Sequence, residues 1–208
     1  MISELKNRSD QELVEEFKEG RKEVFDELVR RYTQMLYNTA NGMLNSPQDA
    51  EEVVQDTFVR AYKALDNFRG DSSFKTWINR IVMNLSRNKY HWNRRRGAGV
   101  NLSLYQPGSD IGGDEENEIP LPDDKLTPDS MIESAELEKT VLQGFNHLPE
   151  KLKEAMVLRH VNDMPYEKIA ETLDCKVGTV KSRLSRGREL LKEFLASRFK
   201  DNPVINGI

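Results

Sequence analysis

From Gly97 to about Thr127 the chain loses all periodicity: GAGVNLSLYQPGSDIGGDEENEIPLPDDKLT is rich in Gly, Pro, Ser, Asp and Glu. A patternless run of roughly 30 residues is too long for a loop inside one compact domain, so it reads as a linker between two. The fold class that follows is all-α. Two small helical domains, 1–96 and 130–200, are joined by an extended acidic linker, 97–129, and residues 201–208 form a tail expected to be mobile. No segment has the two-residue period of a strand, and no repeat is present.

On both sides of the linker, apolar residues recur at spacings of three and four. Ser9-Asp10 caps a first helix to about Glu19, with Leu13, Val14 and Phe17 on one face and Gly20 as its stop. A second carries Val24, Phe25, Leu28, Val29, Tyr32, Met35, Leu36 and Thr39. In the third, Ser46 caps, Pro47 takes the first helical position, and Asp49, Glu51 and Glu52 sit at the positive end of the helix dipole. Its apolar stripe is Ala50, Val53, Val54, Phe58, Ala61, Tyr62 and Leu65. After a turn at 66–71, Ser72-Ser73 restarts a helix with Phe74, Trp77, Ile78, Ile81, Val82 and Leu85 inward. Beyond the linker, Thr127-Pro128 opens a helix to about His147 and Pro149-Glu150 opens another with Leu152, Ala155, Met156 and Arg159. Tyr166 to Leu173 is short, and a last helix runs from Val177 to about Arg198.

Net charge is only −4, but its distribution is uneven. Residues 75–96 hold seven Lys/Arg and no Asp/Glu; residues 175–192 hold six against one; residues 97–136 hold one against ten. Two local basic blocks are the footprint of a nucleic-acid binder, which the overall pI hides. No window approaches the roughly 20 apolar residues of a membrane span. The polar, acidic N-terminus is not a secretory signal, so the expected location is cytoplasmic. One cysteine, Cys175, excludes an internal disulfide and any Cys-pair zinc site. His91, His147 and His160 lack metal-ligand spacing. No catalytic residue, metal or cofactor is expected.

Tyr166–Leu173 and the helix from Gly178, joined by Asp174-Cys175-Lys176, have the form of a helix-turn-helix with a basic second helix. Val180, Leu184 and Leu191 fall on its buried face. Thr179, Lys181, Ser182, Arg183, Ser185, Arg186 and Arg188 are left for DNA: Arg bridges guanine O6 and N7, Ser and Thr reach bases or phosphates, Lys supplies charge. In residues 74–96, Tyr90, His91 and Trp92 stand among Lys75, Arg80, Arg87 and Lys89, with Asn84, Ser86 and Asn88 able to bond base edges. Aromatic faces stack on unpaired bases while the cations neutralise phosphates; composition alone admits single strands and duplex equally. Trp77, on the apolar face, reads as core. The Ala50–Leu65 helix has a polar outer face of Glu51, Glu52, Gln55, Asp56 and Arg60. Cys175 beside Lys176 admits a redox-sensor reading, against the plainer one of a small turn residue.

Three strings, in order, resemble the extracytoplasmic-function (group 4) sigma factors of the sigma-70 family. They are Asp49-Ala50-Glu51-Glu52-Val53-Val54-Gln55-Asp56-Thr57-Phe58; Phe68-Arg69-Gly70-Asp71-Ser72-Ser73-Phe74-Lys75-Thr76-Trp77-Ile78; and Leu148-Pro149 followed by Tyr166–Ala170 and Gly178–Arg183. The resemblance implies sigma region 2 in the first domain and region 4 in the second. It implies an alternative sigma factor that binds core RNA polymerase through the β′ clamp helices and β flap, with promoter DNA as the other partner, and acts as a monomer. An anti-sigma factor is a usual further partner. Asp49, Glu52, Gln55, Asp56, Val59 and Arg60 would dock on polymerase. Phe68, Arg69, Asp71, Ser72, Lys75, Asn84, Arg87, Asn88, Tyr90 and Trp92 would hold the melted −10 strand, and the helix-turn-helix residues would read the −35 element. Two other readings remain open: a helix-turn-helix regulator that binds DNA without polymerase, and a DNA-processing enzyme using the carboxylates Asp49, Glu52 and Asp56 to bind a divalent metal.

Overall fold

The computed structural model describes residues 5–96 and 140–198, and every element among them is helical. The linker and tail expected at 97–129 and 201–208, and the helix start at Thr127, lie outside the described residues. The elements are α1 (Asp10–Lys18), α2 (Phe25–Leu44), α3 (Pro47–Ala64) and α4 (Phe74–Arg95), then helical residues 140–147, α5 (Glu150–His160), α6 (Tyr166–Leu173) and α7 (Val177–Arg198). Short 3₁₀ turns precede α2 at Lys22–Val24 and follow α3 at Leu65–Asn67.

The starts follow the cap signals. Ser9 and Glu12 form a reciprocal capping box on α1. Ser46 accepts from the Asp49 amide with Pro47 behind it, and Ser73 accepts from the Thr76 amide. α2 stops at Asn45 and α6 at Asp174, both left-handed with φ of 50°.

In the first module α2, α3 and α4 pack against one another over Leu13, Phe17, Leu28, Leu36, Ala50, Ala61, Leu65, Ile78 and Val82. Its rings interlock edge to face, with centroids 5.2 Å apart for Phe17–Tyr62 and 5.2 Å for Phe25–Tyr62. Tyr62 nevertheless remains 43% exposed, because it lies at the rim of α3 rather than in the stripe's centre. Arg31 clamps the entry to α1: it donates to Glu27 (2.8 Å), Asp10 (2.9 Å) and the carbonyls of Leu5, Lys6 and Arg8.

Two helical domains joined by a linker leave their mutual placement open; in the structure they are packed together. α5 explains why. It is buried from Leu152 to Val157 on every side, Lys153 and Glu154 included, because the second module covers one face and α2 and α4 cover another. At this seam a Cβ added to Gly42 would stand 3.1 Å from a Val157 methyl, so any larger residue would have to push Val157 aside by a few tenths of an ångström. Met43 and Met83 of the first module join the core formed by Met156, Leu158, Met164, Ile169, Val180 and Leu184.

Candidate nucleic-acid interface

The helix-turn-helix closes as its sequence requires. Asp174 takes the left-handed conformation, the Cys175 amide donates to the Ala170 carbonyl (3.0 Å), and Val180 and Leu184 are buried. Gly187 admits Met156 at the back of α7, where a Cβ would lie 2.8 Å from the Met156 side chain. Lys181, Ser182 and Ser185 are exposed; Thr179, Arg183, Arg186 and Arg188 are half-buried. Leu191, expected inward, is only partly buried. Arg183 Nη1 reaches Cys175 Sγ at 4.0 Å. The second helix thus presents a basic outer face on a packed inner one.

The other predicted site divides in three. A residue advances 100° around a helix, so Trp77, Arg80, Asn84, Arg87, Asn88 and His91 share one stripe of α4. Phe68 packs against Trp77 at the upper end of that stripe, with centroids 4.9 Å apart and the rings tilted by 41°. The Lys18 ammonium donates to the Phe68 carbonyl and fixes the loop. Asn84 and Asn88 are exposed, as are Arg69 and Asp71 in the loop, while Ser72 is half-buried. Lys75 is exposed on a different face. At the far end Trp92 is 42% exposed, with the Lys89 ammonium 5.1 Å and the Arg96 guanidinium 4.1 Å from its ring. Tyr90 is half-buried, and burial pushes its phenol above the ordinary range.

Arg87 is not open to solvent as a lone basic group would be. Its Nε and Nη2 lie 2.7 and 2.6 Å from Glu154 Oε1, with Glu150 Oε1 at 3.6 Å. His91 Nε2 lies 3.1 Å from Glu150. Arg80 donates twice to the Glu171 carbonyl, at 3.0 and 2.7 Å. Beneath them is a buried polar junction that the sequence reading missed. Asn162 Nδ2 donates to Thr39 Oγ1 (2.8 Å) and to Asn79 Oδ1 (3.0 Å); Asn79 in turn donates to the Lys75 carbonyl (2.8 Å), and the Thr39 hydroxyl to the Met35 carbonyl (2.8 Å). The signals for it were Asn79, a polar residue between Ile78 and Val82 on the inward face, and Thr39 in the apolar stripe of α2.

The outer face of α3 leaves Gln55, Asp56 and Arg60 exposed around Val59, which is 50% exposed. Asp49 is half-buried and turned inward, bonded by Asn93 (2.9 Å) and Lys89 (3.2 Å), and Glu52 also holds Lys89 (2.6 Å). Partial burial raises the Asp49 pKa, but hydrogen bonds from Asn93, Lys89 and Ser46 outweigh this and hold its carboxyl below the usual range. These carboxylates tie α3 to α4, and no metal-holding group of His, Cys, Asp and Glu occurs among the described residues.

The sigma-70 region 2 family matches residues 28–96 and the sigma-70 region 4 family residues 139–191. The extracytoplasmic-function RNA polymerase sigma-E factor of Haemophilus influenzae is 37% identical over 190 residues, spanning 88% of this chain and 94% of its own. The chain belongs to the sigma-70 family. Its relatives place it in the extracytoplasmic-function group, as an alternative sigma factor for transcription initiation. RNA polymerase sigma-H factor of Pseudomonas aeruginosa is 36% identical, spanning 92% of this chain and 96% of its own. Among solved structures, the sigma factor RpoE of Bartonella quintana, in complex with the anti-sigma factor NepR, superposes with a TM-score of 0.56 at 25% identity, covering 82% of this chain and 96% of that one. CnrH, in complex with the cytosolic domain of CnrY, shares the fold with a TM-score of 0.65 at 24% identity, covering 91% and 99%. No described helix is long and apolar enough to cross a membrane.

Proposed function

We propose that this sigma factor docks on core RNA polymerase through the outer face of α3, with Gln55, Asp56, Val59 and Arg60 as contacts. Val59 and Tyr62 supply exposed apolar area and the polar residues set register. Glu52 borders this face; Asp49 acts from behind by holding Lys89 and Asn93. The loop of Phe68, Arg69, Asp71 and Ser72, with Lys75, Asn84, Arg87, Asn88, Tyr90 and Trp92, holds the unpaired −10 strand. Capturing a flipped base offsets an unstacking cost of a few kcal/mol. Thr179, Lys181, Ser182, Arg183, Ser185, Arg186 and Arg188 read the −35 element as duplex.

The observation that carries this reading is the pair of basic helical faces on one chain, region 2 before region 4, beside an exposed apolar-polar face. The chain is non-enzymatic and works in the cytoplasm as a monomer, with its modules bounded at 1–96 and 130–200. A similar sigma factor solved in complex with an anti-sigma factor supports an anti-sigma protein as a further partner of this chain. Purified chain and core polymerase decide the matter: co-elution and run-off transcripts from selected promoters are expected. Operator-like binding of the chain alone, with no polymerase requirement, would favour the ordinary regulator instead.

A further inference from the structure

Residues 66–73, which carry Phe68, Arg69, Asp71 and Ser72, are exposed except at Phe68 and Ser72. The stretch leaves the 3₁₀ turn Leu65–Asn67 with the Phe68 amide donating to the Leu65 carbonyl (3.1 Å), and it ends at Ser73, the cap of α4. Between these ends Gly70 takes a φ of 81°, which glycine adopts without steric cost. An exposed segment of this kind belongs to the loosely held part of a fold unless something outside it holds it.

Two lysines, one ending α1 and one in the turn behind it, hold the entry to this loop. α1 closes in a Schellman motif: the Arg21 amide donates to the Glu16 carbonyl and the Gly20 amide to the Phe17 carbonyl, both at 3.1 Å, with Gly20 at a φ of 105°. That reversal lets Lys18 and Lys22 reach the same loop. The Lys18 ammonium donates to the Phe68 carbonyl and lies 5.8 Å from the centre of the Phe68 ring. The Lys22 ammonium lies 2.7 Å from Asp66 Oδ1 and 3.8 Å from the centre of the buried Phe17 ring, which ties it to the module's core. Phe68 in turn packs against Trp77 and meets Phe74 edge on, with centroids 6.5 Å apart. The ring therefore has a floor and its backbone a tether. Exposed ion pairs add little to global stability. What these contacts remove is loop freedom, and a surface ordered before its ligand arrives binds tighter for it.

We propose that Lys18 and Lys22 are positioning residues for base capture: they pin the loop at Phe68 and Asp66, so that the Phe68–Trp77 platform and the tip at 69–72 stand ready before the unpaired −10 strand arrives. This rests on the reading of the loop given above. Lys18 acts through the Phe68 carbonyl and Lys22 through the Asp66 carboxylate, neither on a base, and both lie outside the basic block at 75–96.

The test uses the full chain, free and bound to core polymerase. Lys18→Met and Lys22→Met keep an apolar stem and remove the charge; Lys18→Arg and Lys22→Arg keep a donor at each place. Hydrogen exchange of the free chain reads the loop amides, that of Phe68 first. Binding of the polymerase complex to a promoter probe with an unpaired −10 segment reads capture, with each unpaired base removed in turn. In both Met variants the Phe68 amide should exchange faster, while melting temperature and core binding stay at the parent's. Capture should weaken about tenfold, the consequence of a competent fraction that falls to about one in ten. That loss should largely vanish on the probe lacking the captured base, since two changes that act on one contact are not additive. The Arg variants should restore both readings. The salt slope of binding should not change in the Met variants, because no phosphate contact is lost. Unchanged exchange, an equal loss on every probe, or a salt slope lowered by about 1, the mark of a phosphate contact, would overturn the proposal and leave the −10 reading intact. A parent complex indifferent to every removed base would overturn that reading, and the proposal with it.

Discussion

The first module's core is aromatic and its own: Phe17, Phe25, Tyr32 and Phe74 are buried, and Phe58, Phe68 and Trp77 pack on them. The second module's core has no fully buried ring among the described residues; it is Met, Leu, Val, Ile and Ala, completed by Met43 and Met83 from across the seam. Interlocked rings define one module without help. The other relies on unbranched, adaptable methionines, which fill gaps but specify little. Closing the seam should therefore matter to the second module far more than to the first.

The largest expected effect is on the self-contained core. Phe17→Ala should cost about 3–5 kcal/mol in denaturant unfolding, whereas Met83→Ala, felt only where the modules meet, should cost about 2 kcal/mol, the low end for buried methionine. Equal losses would erase the contrast. Next is Lys153, whose buried ammonium donates, among the described residues, to Asn146 Oδ1 at 2.9 Å. Burial lowers its pKa from 10.5 to about 8. The folded state releases this proton earlier than the unfolded chain, so stability should rise as pH climbs from about 8 to 10.5. Lys153→Met should remove that slope and stabilise the fold at neutral pH by up to about 3 kcal/mol, read from thermal melts across pH.

Most of the fold was legible in the sequence, because caps and apolar periodicity are local. Ser9, Ser46 and Ser73 mark three helix starts where the structure has them, and Tyr166–Leu173 matches its helix end for end. α5 starts at Glu150 with Leu152, Ala155 and Met156 buried, as its sequence suggests; what the sequence did not show is its second buried side, at Lys153, Glu154, Val157 and Leu158. Its EKLKEAMVLRH pattern shows no one-sided stripe, since two modules cover it from different sides, and a rule built on one buried face cannot register two. Asn162 was hidden for a related reason: a polar side chain whose partners are 83 and 123 residues away leaves no local signal. Charge blocks correctly flagged α4 and α7 as basic, but spacing could not show that Arg87 and Arg80 face carboxylates and carbonyls of the second module.

Smaller effects sharpen the contrast at the DNA faces. Arg186→Ala should weaken promoter recognition by about 1–3 kcal/mol if it reads a base, and Lys181→Ala should lower the salt slope of binding by about 1 if it meets phosphate, both read by polymerase-dependent promoter binding at several salt concentrations. Cys175→Ser should change stability by less than about 0.5 kcal/mol and leave peroxide response unchanged; a lost response would restore the sensor reading.

Transcript-start mapping with reconstituted polymerase tests the whole account most directly. Two variants are compared with the parent, one lacking Arg87 and Asn88 and the other lacking Arg183 and Arg186, each replaced by Ala. Loss of promoter-dependent starts in both, with core binding retained, is the predicted result. Unchanged start sites in either would contradict the claim that two basic faces of one chain choose where transcription begins.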